Sequence, residues 1–175
     1  VYKEKLRLRS YGRTDRDSPV FMELKKKYRS IVYKRRLTLP YDRALDCLTG
    51  ACPWPETQIG GEIRYTVDFY PDLESRVFLA YERDSWLAPE SGLRITFDDA
   101  IRFRTEELTL DSDPWGTALL GPDQVLMELK APGAIPLWMV RLLTEMRLYK
   151  TSFSKYGTAY QLLLEREWKG GKRYA

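Results

Sequence analysis

The sequence contains no histidine. That removes His-based metal sites, a Ser-His catalytic pair and the side chain that ordinarily shuttles protons near neutral pH. Cysteine is scarce: Cys47 and Cys52, within Asp46-Cys47-Leu48-Thr49-Gly50-Ala51-Cys52-Pro53, are the only two. Two thiols cannot build a zinc site alone. They are expected to be reduced, as in an intracellular, cytoplasmic protein, with a small disulfide as the alternative. No apolar run approaches the roughly 20 residues of a membrane span, and no signal peptide is visible. A strong charge excess is also missing. Lys and Arg number 29 against 25 Asp and Glu, a net charge of +4, so the cations must act by placement rather than by sum.

What is present is enough for one domain with a real core. The 175 residues are 43% hydrophobic and 13% aromatic, which excludes disorder. A two-residue period dominates. It is plainest in Lys5-Leu6-Arg7-Leu8-Arg9, Glu23-Leu24-Lys25-Lys26-Lys27 and Glu128-Leu129-Lys130. Successive side chains of a strand point to opposite faces, so each stretch sets charges on one face and aliphatics on the other. The pattern predicts strands over 3–11, 20–28, 31–39, 76–84, 93–98, 100–105 and 124–131. Helices are expected over 41–48, 56–70, 136–148 and 155–168. Pro136 opens the third and Ser154 caps the fourth. Leu137, Val140, Leu143, Met146 and Leu148 are expected to form the buried stripe of the third. Gly170-Gly171 should end the fourth, leaving Lys172-Arg173-Tyr174 as a loose tail. Turns are expected at Gly12–Pro19, Ala88–Gly92 and Asp111–Asp123. Strands outnumber helices, so the expected architecture is α+β: an antiparallel barrel flanked by helices.

The cations of shared parity are Lys5, Arg7, Arg9, Lys25, Lys27, Lys34, Arg36, Arg83, Arg94, Arg102, Arg104 and Lys130. Strand by strand they could be solvated faces with Glu23, Asp98 and Glu128 as cross-strand partners. Over six strands they leave a face far richer in cations than anions. Such a cluster is costly without a counterion, and phosphates supply charge that Arg can hold bidentately. The reading favours a polyanionic ligand. Glu23, Glu128 and Asp98 are either salt-bridge partners or oxygen ligands for a divalent ion that also touches phosphate. Ser152-Phe153-Ser154-Lys155-Tyr156-Gly157 reads as a helix cap that can also hold an anion. Tyr81, Trp86, Trp115, Trp138, Tyr149 and Tyr160 are expected to pack in the core or at the barrel rim.

Taken in order, Lys5-Leu6-Arg7-Leu8-Arg9, Val20-Phe21-Met22-Glu23-Leu24-Lys25-Lys26-Lys27, Val32-Tyr33-Lys34-Arg35-Arg36, Ala80-Tyr81-Glu82-Arg83, Leu93-Arg94-Ile95-Thr96-Phe97-Asp98, Glu128-Leu129-Lys130, Pro136-Leu137-Trp138 and the Ser152–Gly157 segment are similar to the VTC-type polyphosphate polymerase domain of the CYTH-like triphosphate tunnel superfamily. The resemblance implies a tunnel-shaped barrel that binds ATP, triphosphate or polyphosphate, with Mn²⁺ or Mg²⁺. It implies transfer of the γ-phosphoryl group of ATP to a polyphosphate chain. The alternatives are a metal-dependent triphosphatase and a non-catalytic polyphosphate- or nucleotide-binding module. It assigns Arg7, Arg9, Lys25, Arg83, Arg94 and Lys130 to the catalytic tunnel. Lys5, Lys27, Lys34, Arg36, Ser154 and Lys155 become substrate contacts, and Glu128 the metal ligand. It implies neither a specific nucleic acid nor a membrane segment. Relative to the family pattern, residues 1–175 are expected to form a single tunnel domain that lacks its first strand and helix, since the chain enters at the Lys-x-Arg-x-Arg strand.

Overall fold

The computed structural model describes residues 2–29 and 31–169, with side chains to 165 in the last helix. The expected stop at Gly170-Gly171, the tail 172–174 and the side chain of Trp168 lie outside the described residues. Among those described, the elements in chain order are β1 (Tyr2–Arg9), β2 (Pro19–Tyr28), β3 (Ile31–Pro40), α1 (Tyr41–Thr49), α2 (Gln58–Phe69), β4 (Phe78–Ala88), β5 (Leu93–Arg104), β6 (Thr117–Ala118), β7 (Leu126–Lys130), α3 (Leu137–Glu145) and α4 (Lys155–Lys169). The α+β class and the antiparallel pairing are as expected. Hydrogen bonding draws two sheets among the described residues, β1-β2-β3 and β4-β5-β6 with β7 also on β5, rather than one closed barrel. The chain divides into two compact units, Val1–Arg76 with Thr109–Asp113, and Val77–Leu108 with Pro114–Ala175.

In the first unit the two-residue period does what it predicts. Leu6, Leu24 and Leu8, Met22, Leu37 pair across the strands on one face, while Lys5, Lys25, Lys34 and Arg7, Glu23, Arg36 pair on the other. The apolar face closes on α1 and α2. Val20, Met22, Leu24, Leu39, Tyr41, Ala44, Cys47 and Ile63 form its buried core. Two charges on that face are absorbed locally. Arg35 donates to Glu62 of α2 at 2.7 Å, and Lys26 lies 3.0 Å from Glu4. Helix α1 begins after Pro40, and its first donors find the preceding loop: Tyr41 N to Ser18 O at 3.0 Å and Asp42 N to Arg16 O at 3.1 Å. Gly50 ends it at φ 78°, a left-handed position that suits glycine. The Thr57 hydroxyl accepts from Gly60 N at 3.0 Å and caps α2. Cys47 and Cys52 are both free thiols, 3.1 Å apart.

The second unit departs from the sequence expectation in β6 (Thr117–Ala118), which lies within the expected turn 111–123, and more deeply in β5. Segments 93–98 and 100–105 are one strand, β5, with an extra residue inserted. Ala80 of β4 pairs with Arg102 while Glu82 pairs with Asp99, and Ala100 sits at φ 44°. This bulge shifts the alternation by one. Ile101 and Phe103 therefore join the face that carries Arg94, Thr96 and Asp98. Arg102 and Arg104 turn to the opposite face, which corrects their grouping with Arg94. Arg104 is a structural cation. It is buried, stacked 3.6 Å from the Phe78 ring centre, and donates to the carbonyls of Glu107 and Trp115. Ile101, Phe103, Leu119 and Ala159 form the buried core, with Leu79, Tyr81, Leu126, Leu162 and Leu163 around it.

Helix α3 also differs. Met139 is its buried residue and Leu143 is half-buried, one turn on, whereas Leu137, Val140, Met146 and Leu148 are exposed. Trp86, Trp115, Trp138, Tyr149 and Tyr160 are all exposed, so of the two places expected for them, core or rim, the core is excluded. Among the described residues no helix is long and apolar enough to cross a membrane.

The opposite faces of β2 give a direct test of this packing. Leu24→Ala should destabilise by about 2–5 kcal/mol, because it empties a fully buried site. Lys25→Ala, one residue on, should leave stability within about 0.5 kcal/mol or raise it. Urea unfolding of the two variants checks the pair.

Candidate functional site

In the first unit the register assembles a cation face. Lys5, Lys25 and Lys34 lie in one row across β1, β2 and β3, and Arg7, Glu23 and Arg36 lie in the next. Lys3 and Lys27 pair beyond the lysine row, and Arg9 faces Phe21 beyond the arginine row. Lys5, Arg7, Arg9, Lys25, Lys27, Lys34 and Arg36 thus share the side away from the core, as their parity predicts. Repulsion is visible at the centre. Burial first, then Lys25, Lys3 and Arg7, lower the pKa of Lys5.

Glu23 is the counterion of this face. Arg7 Nε donates to it at 2.9 Å, Arg36 Nη2 at 2.6 Å, and Arg9 lies 3.9 Å away. Burial works to raise the Glu23 pKa, but the hydrogen bonds and charges of Arg7 and Arg36 hold it below the ordinary value. Phe21 and Tyr11 complete the arginine end. Arg36 lies 5.1 Å over the Phe21 ring and Arg9 4.5 Å over Tyr11.

In the second unit three rows on one face of β4, β5 and β7 carry the remaining residues. Arg83 faces Asp98, Ser85 faces Thr96 and then Glu128, and Leu87 faces Arg94 and then Lys130. Asp98 is fully buried where the charged rows meet the apolar end. Arg83 clasps it with Nε at 2.5 Å and Nη2 at 2.7 Å, and Lys155 at the start of α4 bonds it as well. Lys155 also lies 4.5 Å over the Tyr81 ring, and Arg83 lies 5.0 Å over the same ring. Burial opposes the charge on Asp98, yet these two cations keep its pKa below the ordinary value. The Asp98 hydrogen bond in turn holds Arg83 above its own. Ser154 is the helix cap, its hydroxyl accepting from Gly157 N at 3.2 Å. Ala159 of α4 packs with Phe103 and Tyr81 and so holds this cap against the sheet.

Of the three carboxylates open to metal binding in the sequence, Glu23 and Asp98 are salt-bridge partners. Their oxygens are committed to Arg7, Arg36, Arg83 and Lys155. Glu128 is different: its one ion pair is with Lys130, at 3.0 Å, and its side chain is 46% exposed. Among the described residues no group of three or more Cys, Asp or Glu gathers as a metal cluster. The donor set therefore suits only a hard cation held by one carboxylate, with phosphates and water completing its shell. The sequence offered Asp98 only as a cross-strand partner for the cation set and did not single out Arg83. Nothing in the sequence pointed to Lys155 as its second partner.

A family model for the VTC domain matches residues 1–164. The chain belongs to the VTC domain family. The match spans both sheets and the start of α4, and so covers every residue of the two cation faces. No curated protein matches the chain. The VTC domain family is related to polyphosphate polymerases.

The Asp98 clasp should be the most sensitive charge in the second unit. Asp98→Asn leaves the half-buried Arg83 and Lys155 without their counterion and should cost about 1–3 kcal/mol. In the unsubstituted protein this contribution is complete above the pKa of an unfolded Asp, about 4. It is lost as pH falls through the lowered folded value. Urea midpoints of the protein and the variant, measured from pH 7 down to pH 2, should converge at the acid end.

Proposed function

We propose that this VTC domain is a polyphosphate polymerase-like phosphotransferase, with its cation faces lining a triphosphate tunnel. One observation supports the reading above others. On the first sheet, Lys3, Lys5, Arg7, Arg9, Lys25, Lys27, Lys34 and Arg36 share a face with one carboxylate, Glu23. Such a surface is stabilised by a ligand with many negative charges in a line, and polyphosphate has that form.

In this reading a terminal oxygen of the polyphosphate chain attacks the γ-phosphorus of ATP. The bond from that phosphorus to the β–γ bridging oxygen breaks, and ADP leaves. The attacking oxygen is already ionised, so the absence of histidine is no obstacle. Arg7, Arg9, Lys25, Arg83, Arg94 and Lys130 take up charge on the phosphoryl oxygens and hold donor and acceptor in line. Lys5, Lys27, Lys34 and Arg36 extend the track for the chain, and Ser154 and Lys155 offer a helix N-terminus to it. Glu128 would hold Mn²⁺ or Mg²⁺ beside the phosphates. That ion would neutralise charge and polarise the phosphoryl group.

Incubation with γ-labelled ATP and Mn²⁺, resolved on a gel, should yield labelled chains. Free phosphate as the sole product would make the protein a triphosphatase, and unreacted ATP would leave it a binding module. Arg94→Ala and Lys130→Ala should each weaken tripolyphosphate binding by about ten-fold or more, as expected for loss of a charge-assisted contact. The affinity should fall further as salt rises. Calorimetry with unchanged affinity in both variants would remove these residues from the site.

A further inference from the structure

We propose that Thr96 is a positioning residue for Glu128: its hydroxyl donates to the Glu128 carboxylate once a bound phosphate draws Lys130 away. The inference rests on the phosphate-binding reading above and adds to it a residue that no family motif assigns.

The starting observation is a polar group without a partner. Thr96 is 1% exposed, and its Oγ1 is buried with no hydrogen bond. An orphan hydroxyl of this kind destabilises the fold, because its lost hydration is not replaced. Valine would fill the same space in a strand without that cost. The groups within reach are few. Directly opposite are Ser85 on β4 and Glu128 on β7, and two residues away along β5 are Arg94 and Asp98. Side chains directly opposite in an antiparallel pair have Cβ atoms about 4.5–5.5 Å apart.

Chemistry narrows the choice. Arg94 has donors only and cannot accept from a hydroxyl, and the neutral Ser85 hydroxyl, though directly opposite, makes no hydrogen bond to Thr96. Asp98 already accepts from Arg83 and Lys155. Because Oγ1 has no accessible surface, a ligand arriving from solvent cannot reach it, but a side chain on the neighbouring strand can. Glu128 is an acceptor on that strand, and its ion pair with Lys130 joins two groups that are each about half exposed. Such a pair contributes little to stability and is easily broken.

The register supplies the trigger. Lys130 lies directly opposite Arg94, so the two can hold one phosphate between them. A phosphate that engages Lys130 strips Glu128 of its cation and repels its carboxylate. The Thr96 O–H then receives that carboxylate in a charge-assisted hydrogen bond. Phosphate binding and the turn of Glu128 are thereby coupled, and Thr96 stabilises the bound arrangement.

The test is a double-mutant cycle read by calorimetry with tripolyphosphate, without metal and at low salt. Thr96→Val should fold at least as stably as the unsubstituted protein yet bind about five-fold more weakly, since one charge-assisted hydrogen bond is lost. Thr96→Ser should restore the affinity. In a Glu128→Ala background, Thr96→Val should change binding less than about two-fold, because there is no carboxylate to receive. Thr96→Ala, read the same way, serves if Val disturbs the strand. An unchanged affinity in the Thr96 variants, or an equal loss with and without Glu128, overturns the positioning role while the phosphate reading stands. A protein that binds no tripolyphosphate at all overturns both.

Discussion

Like charges gathered on one sheet face repel, and each unit of this protein answers that constraint with a carboxylate committed to the cations beside it. In the first unit Glu23 is held by Arg7 and Arg36. In the second Asp98 is held by Arg83 and Lys155. Neither carboxylate cancels the charge around it. Each fixes the side chains beside it and leaves a positive surplus. A guanidinium held bidentately by a buried carboxylate has lost its freedom before any ligand arrives, so less ordering is needed on binding. The cost is borne by the fold, which must keep Asp98 out of water and ionised.

The bulge in β5 determines where that carboxylate lies. By shifting the alternation at Ala100, it joins an apolar stretch, Ile101 and Phe103, to a polar one, Arg94, Thr96 and Asp98, on the same face. Helix α4 covers both. Ala159, Leu162 and Leu163 sit over the apolar part, and Lys155 at the helix start meets Asp98. Were the alternation regular through Ala100, Asp98 and Phe103 would lie on opposite faces, and α4 could not pack on one while bonding the other. The bulge thus links the core of the unit to its charged rows.

Glu128 contrasts with the two committed carboxylates. It is half exposed and paired with a residue only two positions away, so its charge can be redirected at little cost. The row that contains it, with Ser85 and Thr96, carries oxygen atoms rather than cations and separates the Arg83–Asp98 row from the Arg94–Lys130 row. In the proposed phosphate-binding role such a row has a use. It offers a place where an anionic oxygen or a hard cation can be accommodated without displacing a structural salt bridge.

Most of the strands and all four helices were legible in the sequence, as was the placement of Lys5, Arg7, Lys25, Lys34 and Arg36 on one face. These depend on covalent geometry: alternation in a strand follows from the backbone, and caps such as Ser154 act within a few residues. The motifs likewise carried the family. Other features were decided only by tertiary structure. A bulge is a mismatch between two strands, so nothing within 93–104 alone announced that Arg102 and Arg104 would leave the face of Arg94. The inward stripe of α3 fell on Met139 and Leu143 because several helix faces were apolar and packing selected one. The choice among Glu23, Asp98 and Glu128 was also beyond a period-two pattern, which places a carboxylate on a face but does not say which cations reach it. That was settled by partners distant in sequence, Lys155 above all, because a buried charge takes whatever counterion the packed chain brings to it.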